Sequence, residues 1–173
     1  MSNKILIAYA SRTSTTEGVA QAIGKTLMES GVQVDVLPMH EVQAVSSYRA
    51  VVVGSAIRKS KWLPEAVQFV QTHRAQLAQK PFAEFTVCIT LAMANATQYR
   101  AAVAQWVAPV RDLVSPLREG FFAGQLDFSK LPVNWDTLLL RAAVALHIFP
   151  AGDRRDWNAI RAWANEIRPV LDQ

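Results

Sequence analysis

Apolar and polar positions along this chain fall into blocks whose period switches between that of a strand and that of a helix. Lys4 to Ala10 is a short apolar run, and Glu17 to Met28 then sets Val19, Ala20, Ile23 and Leu27 on one helical face. Gly31 supplies a stop after Ser30, and Val32 to Leu37 alternates apolar and polar residues as a half-buried or edge strand does. Ala50-Val51-Val52-Val53-Gly54 is a continuous run typical of a strand covered on both faces, and Pro64 then opens a helix carrying Ala66, Val67, Phe69 and Val70. Glu84 to Leu91 reads as a fourth strand, Thr97 to Leu113 as a third helix, and Gly120 to Gly124 as the centre of a short fifth strand. Asp156 is placed to cap a closing helix that runs to Leu171 with Ile160, Trp163, Ala164 and Ile167 inward.

Strands and helices in this alternation pack compactly only as a parallel sheet with helices on both faces, joined by right-handed crossovers. The expected α/β fold is a three-layer sandwich around a five-stranded parallel sheet of order 2-1-3-4-5, a single domain over residues 1–173. One stretch is irregular. Gln125 to Arg155 is longer than a simple crossover and contains an apolar block from Asp136 to Phe149, broken only by Arg141 and His147 after its first turn. That block is shorter than the roughly 20 residues that cross a bilayer, and its two polar residues define no broad polar face. Two readings stay open: burial or homodimer packing, or peripheral membrane contact over 136–149 aided by Arg141, Arg154 and Arg155.

In a sheet of this order a ligand sits where the winding reverses, at the carboxyl ends of the first and third strands. Directly after the first strand come Ser11, Arg12, Thr13, Ser14, Thr15 and Thr16, five hydroxyls in six positions, at the mouth of a helix. Hydroxyls and free helix amides together suit a phosphate dianion. Capping is the plain alternative, but it uses one hydroxyl. The glycine patterns of P-loop and dinucleotide-binding sites are missing, and no acidic residue stands at the end of the first strand as a receiver domain requires.

Composition narrows the field further. The formal charge is +4 and the pI about 9.5, a modest bias toward anionic ligands without the dense basic stripe of a nucleic-acid reader. A single cysteine, Cys88, lies in an apolar run and rules out a disulfide framework. His40, His73 and His147 share no ligand spacing, so no metal is expected. No signal-peptide pattern opens the chain, and the expected location is the cytoplasm, with a peripheral seat on the inner membrane face under the second reading of the apolar block.

Ile7, Tyr9, Ser11 and Thr16, followed by Ala20 and Ile23, resemble the phosphate-loop signature of the flavodoxin family, with Ala8 smaller than usual and Ser14 where Ala, Gly or Cys is common. The resemblance implies a flavodoxin-like fold and one FMN. Val51 to Arg58 with Trp62, Phe122 to Leu126, the long link and Asp156-Trp157 resemble more narrowly the flavodoxin-type, menaquinone-dependent protoporphyrinogen oxidases. That likeness implies an FMN-dependent oxidoreductase passing electrons from a porphyrinogen substrate to a quinone, with residues 125–150 helping to engage quinone, substrate or membrane. The cofactor residues it implies are Ser11 to Thr16 for the phosphate, Ser55, Ala56, Ile57 and Arg58 with Leu91, Ala92, Met93 and Ala94 beside the ring, and Gly124 and Gln125 near the fifth strand. Trp62 or Tyr99 is placed to stack on the flavin, with packing as the alternative for Trp62. No side chain stands out as an acid or base, which suits a cofactor that carries the chemistry itself.

Charge bears on this independently. Arg58, Lys59 and Lys61 fall in the segment expected beside the flavin ring, where positive charge stabilises an anionic reduced flavin and raises its potential. No glycine lies between Ser55 and Trp62, which hinders the peptide flip by which flavodoxins tune their one-electron state. A purely solvated basic surface is the alternative. Beside the enzyme stand two other classes, a non-enzymatic electron carrier and a flavin-free binding module.

Overall fold

Successive residues of an extended strand point to opposite faces of its sheet, and in β1 (Lys4–Ala10) both sets are apolar, so the strand needs cover on both sides. Ile5, Ile7 and Tyr9 enter one apolar cluster and Leu6, Ala8 and Ala10 another. The computed structural model describes residues 3–93, 96–130, 135–146 and 150–173. Its remaining strands are β2 (Gln33–Pro38), β3 (Ala50–Arg58), the two-residue β4 (Lys61–Trp62), β5 (Phe82–Cys88), β6 (Arg118–Ala123), and the short β7 (Gln125–Leu126) and β8 (Gly152–Asp153).

The main sheet runs β2-β1-β3-β5-β6 and those five strands are parallel. It is the expected order 2-1-3-4-5, because β4 is only the return arm of a hairpin on β3. Helices α1 (Thr15–Glu29) and α5 (Trp157–Leu171) cover one face with Val19, Ile23, Ile160 and Ile167. On the other face, α2 (Pro64–Leu77) brings Ala66 and Val70, and α3 (Ala96–Arg111) brings Val107 and Val110. Gly31 stops α1 at φ 84°, a conformation that side chains with a Cβ rarely adopt. Asp156 caps α5 as expected, its carboxylate accepting from the amides of Asn158 and Ala159 at 3.0 Å each.

Boundaries differ from the expected ones where tertiary pairing decides them. The fourth strand of the pattern, expected over Glu84 to Leu91, is β5 and ends at Cys88, because Cys88 pairs with Ala123, the last residue of β6. The chain then turns through a 3₁₀ segment, Ile89–Ala92. The apolar block after the fifth strand forms α4 (Trp135–Ala145), while the expectation for residues 147–149 lies outside the described residues. An antiparallel ribbon, with Gln125 opposite Asp153 and Leu126 opposite Gly152, brackets the segment that holds α4.

Candidate functional site

The parallel sheet delivers the ends of β1, β3 and β5 to one edge, and the loops there line a half-open cavity of about 530 Å³. Its polar end is the hydroxyl loop. Ser11, Arg12, Thr13, Thr15 and Thr16 line it. Ser14 stands at the cap position of α1 but is held in a left-handed conformation at φ 58°, and its side chain makes no capping bond. A non-glycine residue in that region costs about 1 kcal/mol or more and persists where the surroundings demand it. The capping alternative therefore fails at its own position.

The remaining hydroxyls are also not spent on the helix. Thr13 and Thr15 face each other with Oγ1 atoms 3.1 Å apart. Thr16 is fully buried, and its Oγ1 has no hydrogen-bond partner. A buried unpaired hydroxyl is unfavourable by about 1–3 kcal/mol, and the first-turn amides of α1 have no partner within the helix. An acceptor-rich dianion supplies what these groups lack, so the donor set fits a phosphate ester. Arg12 is committed elsewhere: its guanidinium meets both carboxylate oxygens of Glu65 at 2.9 Å, tying the loop to the first turn of α2.

The other walls are largely apolar. Ala56, Ile57 and Arg58 come from the end of β3 and Leu63 from beyond the hairpin. Val87 and Ile89 come from the end of β5, and Gly124, Gln125 and Leu126 from the turn into β7. Thr137 and Leu140 of α4 close the side remote from the sheet. The outer side of α4 and the turn that ends it are open to solvent, with Trp135 79%, Leu139 67% and Leu146 71% exposed.

The structure thus brings together ten of the expected residues: Ser11, Arg12, Thr13, Thr15, Thr16, Ala56, Ile57, Arg58, Gly124 and Gln125. It separates others. Ser55 is buried behind the wall, where its hydroxyl accepts from the Leu63 amide at 3.1 Å and donates to the Ala56 carbonyl at 2.9 Å. Trp62 is a packing residue and not a stacking platform: it is 3% exposed and its indole N–H donates to Thr86 Oγ1 at 2.9 Å. Leu91, Ala92 and Met93 belong to the 3₁₀ turn and the residue after it, off the cavity wall, and Ala94 lies outside the described residues. Lys59 and Ser60 form a two-residue hairpin turn with φ of 51° and 58°, and Arg58 and Lys61 pair across it.

Leu63, Val87 and Ile89 were not singled out by the sequence, and Leu126, Thr137 and Leu140 were covered only as part of the 125–150 segment. They are apolar or singly hydroxylated residues whose one signal, burial, is shared with the whole core. Arg155, which one of the two readings of the apolar block sets at a membrane surface, is largely covered, at 11% side-chain exposure, and reaches the Thr15 carbonyl at the start of α1.

Comparison with known proteins bears on family and fold. A family model described as a flavodoxin domain matches residues 6–144, which include the hydroxyl loop and most of the cavity wall. Protoporphyrinogen IX dehydrogenase (quinone) of Escherichia coli strain K12 is 30% identical over 86 residues, 49% of this chain and 48% of that protein. The alignment therefore spans about half the length of the curated relatives it matches. Among solved structures, a flavodoxin from the domain Archaea superposes with TM-score 0.59 at 17% identity over 98% of this chain and 99% of the other. A short-chain flavodoxin associated with a PDU bacterial microcompartment does so with TM-score 0.61 at 11% identity, over 99% of this chain and 97% of the other. At these identities the structural likeness shows the fold.

Proposed function

Because this chain belongs to the flavodoxin-domain family and its cofactor is FMN, we propose that it is an oxidoreductase that takes electrons from a reduced organic substrate of the porphyrinogen class and passes them to a quinone. The observation that carries the proposal is a phosphate cradle with unused donors, Thr16 Oγ1 among them, opening into an apolar cavity closed by α4. The half-length likeness to a protoporphyrinogen IX dehydrogenase supplies the substrate class.

When bound, FMN supplies the electron exchange. The protein's part is to hold and surround it. The Ser11 to Thr16 loop would hold the phosphate, and Ala56, Ile57, Val87 and Ile89 would form apolar flanks beside the ring. Arg58, Lys59 and Lys61 on the β3–β4 hairpin offer positive charge to the carboxylates of a porphyrinogen and to a reduced flavin. Thr137 and Leu140 close the cavity while Trp135, Leu138, Leu139 and Leu146 stay exposed on α4 and the turn that ends it. That outer face is suited to rest on a membrane surface, from which a lipid-soluble quinone reaches the same cavity. No described helix is long and apolar enough to cross a membrane.

A visible spectrum of the purified protein, followed by an assay with protoporphyrinogen IX and menaquinone, tests the proposal. The expected result is a bound flavin and quinone-dependent turnover. Bound flavin without turnover would identify an electron carrier. Vesicle flotation tests the membrane face: the chain is expected to float, and W135S/L139S to remain in the soluble fraction. Soluble behaviour of both ends the membrane reading.

A further inference from the structure

The most heavily engaged charged side chain near the cavity is one that does not line it. Arg155 follows β8, and its guanidinium makes contacts in four directions. Nε and Nη2 donate to the two carboxylate oxygens of Asp153 at 2.8 and 2.6 Å. Nη2 also donates to Gln125 Oε1 at 3.1 Å, and Nη1 to the Thr15 carbonyl at 3.4 Å. The plane lies over the Trp157 ring, 4.4 Å from its centroid.

Two of these partners, Gln125 and Thr15, stand on different walls of the cavity. Arg155 grips both from behind. A guanidinium has donors only, so Gln125 must offer it the amide oxygen, and the amide NH₂ is left to point away from Arg155. The first turn of α1 is shaped to admit this arm: a Cβ on Gly18 would lie 2.5 Å from Arg155 Nη1. The charge itself is balanced by Asp153, whose carboxyl is held below its usual range chiefly by the Arg155 hydrogen bond. The arm therefore acts through geometry more than through net field.

We propose that Arg155 is a positioning residue for the cofactor: by bridging Gln125 and Thr15 it sets the spacing of two cavity walls and turns the Gln125 NH₂ toward bound FMN as a donor. The inference rests on the FMN reading of the cavity. Lysine cannot replace this arm, because one ammonium on a flexible stem lacks the planar fork that spans several acceptors at once.

The test is a double-mutant cycle on the full chain, reading the FMN dissociation constant by fluorescence quenching, with melting temperature and far-UV circular dichroism alongside. R155M is expected to weaken FMN about tenfold in the native background, yet by less than about threefold when Q125A is already present, since residues acting through one contact are not additive. R155K is expected to behave much as R155M does. Gly18→Ala provides an arm that keeps every charge: its Cβ forces Arg155 Nη1 to shift, so weaker FMN binding is expected, with the gain in helix propensity offsetting part of the stability lost with the displaced hydrogen bonds. Should R155M fail to fold, the Gly18→Ala and Q125A measurements, singly and combined, carry the same cycle. Equal losses in both backgrounds, or unchanged FMN affinity in R155M and Gly18→Ala, overturn the proposal while leaving FMN binding intact. A native chain that takes up no FMN overturns the cofactor reading, and this inference with it.

Discussion

Glu84 offers a prediction whose size follows from the structure. It sits on β5 at 1% exposure, directly across from Glu119 on β6, and neither of its carboxylate oxygens has a hydrogen-bond acceptor or donor fixed to it. Arg111 on α3 faces the pair but donates to Glu119 Oε2, at 3.1 Å, and not to Glu84. Burial first, and the neighbouring Glu119 second, push the Glu84 carboxyl from its ordinary 4.5 to about 9. At neutral pH it is therefore protonated in the folded chain and ionised in the unfolded one, and folding takes up a proton. Stability is full below the unfolded value and falls as pH rises toward the folded value, by about 1.4 kcal/mol per unit.

Replacing the acid by its neutral isostere, E84Q, removes that penalty. The gain over the native chain is expected to be about 1 kcal/mol near pH 5.5, about 3 kcal/mol near pH 7 and about 5 kcal/mol near pH 8.5. Domains of this kind are stable by about 5–15 kcal/mol in total, so the effect is large enough to measure. Urea denaturation of both chains across that range is the assay, with every other titration cancelling in the difference. Two parallel stability curves would refute the reasoning, because a constant offset means Glu84 does not change its proton on folding.

Two further predictions concern the cofactor. T16V is expected to weaken FMN binding about ten- to a hundredfold, the worth of a charge-assisted hydrogen bond to phosphate, while the FMN-free protein keeps or gains stability because a buried unpaired hydroxyl has been removed; unchanged FMN affinity measured by titration would take Thr16 out of the cradle. R58Q/K59Q/K61Q is expected to lower the flavin midpoint potential by roughly tens of millivolts and to weaken porphyrinogen affinity, both effects shrinking at high salt. Spectroelectrochemistry and substrate titration that find neither change would leave the hairpin charges as solvated surface.

The alternation of elements was legible from residue order, and so was the loop at the end of β1. Ser11 to Thr16 are adjacent in the chain, so the fold has only to deliver their shared backbone to the sheet edge, and topology says which edge that is. The apolar runs of β1 and β3 likewise announce their burial without naming what covers them. Trp62 shows the limit: a tryptophan near a cofactor loop and a tryptophan hydrogen-bonded to Thr86 in the core look alike until β4 folds back on β3. The end of β5 was misjudged for a similar reason, since Ile89 is as apolar as Val87 and only the missing ladder partner stops the strand.

By itself, then, the residue order determined the parallel sheet, its covered faces and the hydroxyl loop, because each depends on periodicity or on neighbours within one turn of chain. Tertiary structure alone decided that α4 closes the cavity, that Ser55 and Trp62 stand behind its wall, and that Arg155 reaches the carbonyl of Thr15, 140 positions away. Hydrogen bonds and apolar contacts act over a few ångströms of space, and separation along the chain says nothing about that distance until crossovers and ribbons have brought the ends together.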